Sequence, residues 1–239
     1  MNAKLFVFTF LVILANSAKG EPLVTFRLIS KVNGEKLVLN EKMYANANGD
    51  SFTVSMFKYY VSNISLLNDG KPVYTEPESY HLINEARTSS RQFGLSTIAP
   101  ITFDAIRFMI GVDSIKNVSG AQSGALDPIN AMFWDWNTGY IMAKMEGNST
   151  NAPEGTVEFH IGGFSGSVAT PRWVTLNLPG PVTPGDKEVT ITIASDLGQW
   201  FKSPTTISFK EMPVVTTEGK DAVTIADNYA DMFTIESVE

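Results

Sequence analysis

Phe52-Thr53-Val54-Ser55-Met56-Phe57-Lys58-Tyr59-Tyr60-Val61-Ser62-Asn63-Ile64-Ser65-Leu66-Leu67 is the stretch that decides the fold. It is dense in Val, Ile, Tyr and Phe, residues that suit a pleated, half-buried surface. Apolar and polar positions alternate through most of it. That pattern predicts one bent strand or two short ones, and Asn68-Asp69-Gly70 ends it in a turn.

Working outward, residues 24–29 and 35–39 read as two strands joined by a turn at Asn33-Gly34. Residues 80–83 and 103–110 add two more, the second stopped at Gly111. Residues 112–129 form a connection rich in Gly, Ser and Asp, and a loop of that length is usually functional or disordered. Further strands are predicted over 140–145 and 156–161. Residues 172–178 and 188–193 alternate cleanly around a Pro- and Gly-rich turn, which predicts a hairpin. Asp196 is placed to cap a helical turn carrying Trp200 and Phe201. Ala222, Ala226, Tyr229, Ala230 and Phe233 share one helical face, with Asp221 as its cap. Many short strands and one late, short helix predict an all-β fold, an antiparallel β-sandwich or barrel-like single domain over 21–239.

Residues 1–20 read as a cleaved signal peptide. Lys4 precedes an apolar run from Leu5 to Ala15, and Ala18-Lys19-Gly20 supplies small residues for cleavage after Gly20 or after Ala18. The run is too short to span a bilayer comfortably, so the mature chain is expected in the periplasm or secreted, without a membrane anchor. The whole chain carries a net charge of −7, and removing Lys4 and Lys19 leaves 16 basic against 25 acidic residues. Such a surface disfavours nucleic acid and anionic membranes. With no cysteine in the chain, disulfides, thiolate zinc sites and thiolate nucleophiles are excluded.

The unusual chemistry concentrates between Gly124 and Phe164. Met132-Phe133-Trp134-Asp135-Trp136-Asn137-Thr138-Gly139-Tyr140 places two tryptophans at i and i+2, which on a strand share a face. They are either core aromatics or an exposed platform with Tyr140. His160 enters Ile161-Gly162-Gly163, where glycines permit close backbone approach, and imidazole is a common metal ligand. His81 lies among Tyr80, Leu82 and Ile83, which suggests simple packing. Met132, Met142 and Met145 offer thioether sulfur, which suits Cu(I) but also fills irregular cores. No zincin, nucleophile-elbow, Walker or dinucleotide motif is present, so an enzyme is not expected.

Several of these segments recur in order in one family: residues 57–66, Tyr80-His81-Leu82-Ile83, Ile110-Gly111-Val112-Asp113, Gly124-Ala125-Leu126-Asp127-Pro128, the double-tryptophan segment, Phe159-His160-Ile161-Gly162-Gly163 and Ile225-Ala226-Asp227-Asn228-Tyr229. From about Leu23 to its end the chain resembles the MbnP-like copper-binding proteins, particularly the Bacteroidetes-type branch. The resemblance implies an exported, mainly β domain that binds copper, Cu(I) or Cu(II), for scavenging, storage or handover. In such proteins histidines and a tryptophan oxidised to kynurenine hold the metal, and a dihaem cytochrome peroxidase of the MauG-like class performs the oxidation. Carried over, His160 is the leading ligand, His81 and Met132 are further candidates, and Trp134 and Trp136 are the candidates for modification. Where many relatives have an Asn-His pair after the Gly-Val segment, this chain has Asn117-Val118. The competing expectation is a β-sandwich binding module that uses its exposed aromatics on carbohydrate or a partner protein.

Overall fold

The computed structural model describes residues 24–95, 101–135, 138–185 and 188–239. The expected signal peptide, residues 1–20, and Trp136 lie outside the described residues. Among these residues the first strands are β1 (Val24–Val32), β2 (Glu35–Lys36), β3 (Tyr44–Ala45), β4 (Ser51–Asn68), β5 (Lys71–Thr75), β6 (Tyr80–Asn84) and β7 (Gln92–Leu95). β8 (Phe103–Ile110) leads into α1 (Ser114–Asn117), followed by β9 (Phe133–Asp135), β10 (Gly139–Asn148), β11 (Thr156–Gly162), β12 (Arg172–Val182) and β13 (Val189–Asp196). β14 (Val214–Val215), α2 (Lys220–Tyr229) and β15 (Phe233–Val238) complete the order.

Two sheets form a sandwich. The larger runs β12-β8-β4-β10-β11-β14, with β3, β5 and β6 on β4 and β9 on β10; the smaller runs β15-β13-β1-β2, with β7 on β1. The deciding stretch is one strand of 18 residues. It bends at Asn63, whose φ of 53° is left-handed, a region that asparagine tolerates better than most residues. Asn63 falls where the pairing with β8 shifts register between Ser62 and Ser65. The turns at Asn33-Gly34 and Asp69-Gly70 have positive φ at both central residues, as two-residue hairpins require.

Inward residues of both sheets fill one core. Tyr59 on β4 meets Phe233 on β15 at 5.6 Å, and its hydroxyl lies 3.0 Å from Ser195 Oγ on β13. Phe57 meets the wholly buried Trp200 edge-on at 5.7 Å. α2 buries Ala222, Ile225, Ala226, Asn228 and Tyr229 beside them.

Three expectations need correction. Residues 172–178 and 188–193 are not a hairpin: β12 is an edge of the larger sheet on β8, while β13 sits between β1 and β15 in the smaller. Alternation identifies a strand but not its partner, and β13 is buried over five consecutive residues. The pairing is also not wholly antiparallel, since β1 and β13 run parallel over eight residue pairs and β14 joins β11 in parallel. Of the sandwich and barrel-like alternatives the sandwich is the one formed. Finally, Asp221 lies in the first turn of α2 rather than at its cap, which is Gly219, and Phe233 belongs to β15, so the helical spacing ran on past the real helix.

Candidate functional site

The larger sheet has a second, smaller core on its outer face. Tyr60, Val112, Leu126, Met132, Tyr140, Ile141 and Met142 are buried there, with Tyr80, Leu82, Phe133, Trp134 and Phe164 packed against them. This core exists because β4 carries two neighbours along one edge. Its first half pairs with β10 through Tyr59, and its second half pairs with β8 from Val61. The connection from β8 to β10 therefore leaves and returns at Tyr60 and folds back over it.

That connection is held at many points. The Gly111 N–H donates to Tyr60 O at 3.0 Å, and the Val112 N–H donates to Met142 Sδ at 3.2 Å. Asp113 caps α1 by accepting from the N–H groups of Ile115 and Lys116. Asn117 is wholly buried; its Nδ2 donates to Val112 O at 2.8 Å and Asp113 O at 2.9 Å, and its Oδ1 accepts from the Tyr140 N–H at 2.8 Å. Tyr60 and Tyr140 donate their hydroxyls to Ala125 O and Leu126 O. Lys58 Nζ, on the same face of β4 as Tyr60, donates to Asn130 O at 3.1 Å.

β9 then carries Trp134 over β11. A Cβ at Gly162 would sit 2.7 Å from Trp134 Cη2, so the indole occupies space that only glycine leaves open. His160 precedes Gly162 by two residues on β11, and residues two apart on a strand share a face. The structure thus brings His160 and Trp134 to one side of the sheet.

The His160 ring is half-buried. Its Nε2 lies 2.9 Å from Glu146 Oε1, and Lys144 Nζ lies 3.1 Å from the same oxygen. Lys144 pairs directly across from His160, with Lys58 on its other side. Burial pushes the His160 pKa down, and the neighbouring Lys144 ammonium adds to that, against a smaller upward pull from Glu146. Burial alone would raise the Glu146 carboxyl, but hydrogen bonds from Lys144 and His160 outweigh it and hold the group below its ordinary range. A neutral imidazole beside an ionised carboxylate is the result.

The other expected residues are placed differently. His81 pairs with Val61, while Leu82 pairs with Tyr60, so His81 faces the inter-sheet side and His160 the outer one. Its ring stacks on Phe93 at 3.7 Å, and its Nε2 lies 2.9 Å from Glu76 Oε2. The two histidines therefore do not converge on one ion. Met132 is wholly buried in the outer core, and Met145 is in the inter-sheet core. Tyr140 is also wholly buried, which removes it from the exposed platform considered above. Val118, where the resemblance led to the expectation of a second histidine, is 68% exposed. Among the described residues no group of three or more His, Asp or Glu is arranged to hold a metal ion.

Glu146 and Lys144 are the polar neighbours of His160 that the sequence reading missed. The signal was there: Lys144-Met145-Glu146 and Glu158-Phe159-His160 each flank a buried apolar residue with polar ones. Aligning the two strands as a hairpin puts those polar side chains on the face of His160.

The sequence matches the MbnP family over residues 21–218. No curated protein matches it. Among solved structures the fold is similar to MbnP from Methylosinus trichosporium, at 12% sequence identity and a TM-score of 0.57, covering 81% of this chain and 82% of that one. At that identity the likeness is one of fold.

Proposed function

Because this chain belongs to the MbnP family, we propose that it binds copper, for scavenging, storage or handover, with His160 as its imidazole ligand. The observation that carries the reading is the pairing of a carboxylate-oriented, neutral His160 with Trp134 on one face of β11. The proposal includes export behind a cleaved segment 1–20, and a binding rather than a catalytic role.

The donors fit copper in type. Neutral imidazole is a good ligand for the metal. Copper when bound would supply a soft Lewis-acid centre; the protein's part is to hold, orient and shield it. Glu146 holds the His160 ring in place. Trp134 packs against the outer core, and Gly162 lets the indole lie against the strand. Trp134 is accordingly the described tryptophan that we assign as the site of oxidation. Opening its indole to kynurenine would break the C2–C3 bond, release C2 as formate by hydrolysis and leave an aryl amine on the His160 side of the sheet. Peroxide, two equivalents per ring, would be the oxidant, used by a MauG-like dihaem peroxidase. His81 takes no part, because it faces the other side of the sheet.

The test is a native mass spectrum of the protein purified from its own host without chelator. A copper-sized adduct, with a mass change fitting loss of one carbon and gain of one oxygen, is the expected result. Copper without that change would retain the ligand reading and discard the modification. A metal-free, unmodified chain that also fails to take up added Cu(I) would overturn the proposal.

A further inference from the structure

Three groups meet at one oxygen. Glu146 Oε1 lies 2.9 Å from His160 Nε2 and 3.1 Å from Lys144 Nζ. A lysine ammonium has only donors, and an ionised carboxylate has only acceptor positions. The contact from His160 to Glu146 must then be an N–H donated by Nε2. A neutral imidazole carries one N–H, so Nδ1 is left with a bare lone pair. The hydrogen bond described for this ring is the one at Nε2.

From this geometry we infer that Glu146 is a positioning residue: it locks His160 in the Nε2–H tautomer and presents Nδ1 as the metal-binding nitrogen. Lys144 is the auxiliary of the arrangement, since its Nζ, which can only donate, meets the same Glu146 oxygen. Neighbouring carboxylates commonly orient metal-bound histidines in this way. The inference rests on the copper reading only for its purpose. The tautomer itself is a property of the metal-free protein.

The experiment separates the two. Two-bond ¹H–¹⁵N correlation spectra of the metal-free, histidine-labelled protein at neutral pH report which ring nitrogen carries the proton. His160 is expected to show Nε2–H with a pyridine-like Nδ1. Glu146→Gln keeps the volume but lets an amide donate to Nε2, so the signal is expected to shift toward the Nδ1–H tautomer. Glu158→Gln, which removes a carboxylate on the same strand that makes no hydrogen bond to His160, is expected to leave the spectrum unchanged. In competition with a colorimetric Cu(I) chelator, Glu146→Gln is expected to weaken Cu(I) binding roughly 10–100-fold, the usual effect of removing such an outer partner. A wild-type Nδ1–H tautomer, or a Glu146→Gln spectrum matching wild type, overturns the inference. The expected spectra together with no Cu(I) uptake by the wild-type protein uphold the tautomer assignment and overturn the copper reading alone.

Discussion

Gly162 and Asn117 are the residues on which the outer face depends. An alanine Cβ at Gly162 would sit 2.7 Å from Trp134 Cη2 and press on the neighbouring Cζ3 as well, and the ring is not the loose end of a flexible chain. Gly162→Ala is expected to lift Trp134 from β11 and to cost about 1–3 kcal/mol, the usual range for overpacking. Urea denaturation measures the loss, and fluorotryptophan labelling reports the displaced ring; an unshifted Trp134 resonance would refute the contact. The Asn117 side chain satisfies the buried Val112 carbonyl and Tyr140 N–H, while the Asp113 carbonyl it also reaches keeps the residue-117 backbone N–H as a donor. Asn117→Ala is expected to destabilise by about 2–3 kcal/mol, since each buried group left unpaired costs on the order of 1–3 kcal/mol, again read from the urea midpoint. His160 and Trp134 were legible as residue types, because imidazole and indole beside glycines stand out in a sequence. Glu146 was not, since its role depends on which strand lies opposite.

The same limit governs the elements. The strand character of β4, β8, β10 and β11 was visible in alternation, and the turn at Asn33-Gly34 in its residue types. The partner of β12 was not visible, because period-two alternation carries no information on the neighbouring strand. The parallel pairing of β1 with β13 instead depends on a side chain far away in sequence. Asp196, at the end of β13, accepts from the Asn33 and Gly34 N–H groups at 2.7 Å each, and from the Gly198 N–H at 2.9 Å. It thus ties the β1–β2 turn to the helical turn carrying Trp200, and the expected cap is also a clamp. Asp196→Ala is expected to cost about 2 kcal/mol, the upper end of cap losses. Asp196→Asn, which keeps one acceptor oxygen, is expected to recover part of it in the same unfolding assay. Equal losses in the two variants would show that charge rather than geometry holds the turn.

At the scale of the whole molecule, a chain without disulfides closes its two ends through burial and a few long-range hydrogen bonds. Asp50 makes one of them. It is buried, accepts from the Phe209 N–H at 2.9 Å, 159 residues away, and takes further bonds from the side chains of Asn46 and Asn48. Burial alone would raise its pKa, but these bonds outweigh burial and hold the carboxyl below its ordinary value. A group whose folded pKa is depressed binds more protons when unfolded, so stability rises with pH across the interval between the two values. The contribution of Asp50 is therefore complete above the unfolded value of about 3.9 and is lost as the pH falls through the lower folded value. Asp50→Asn removes the titration while keeping one acceptor. The wild-type protein is expected to lose more stability than this variant between pH 5 and pH 2, followed by urea unfolding at each pH. Parallel curves would place the acid sensitivity elsewhere. Asp113 and Glu146 also have depressed carboxyl pKa values, so the variant should flatten the wild-type slope without abolishing it. The Asn46–Asp50 loop was legible as a turn from its composition, but its bond to residue 209 was not, because local turn chemistry does not name a distant backbone donor. The same reasoning explains why composition and alternation pointed to a β-sandwich while leaving the assembly of its two sheets to contacts that only the folded chain contains.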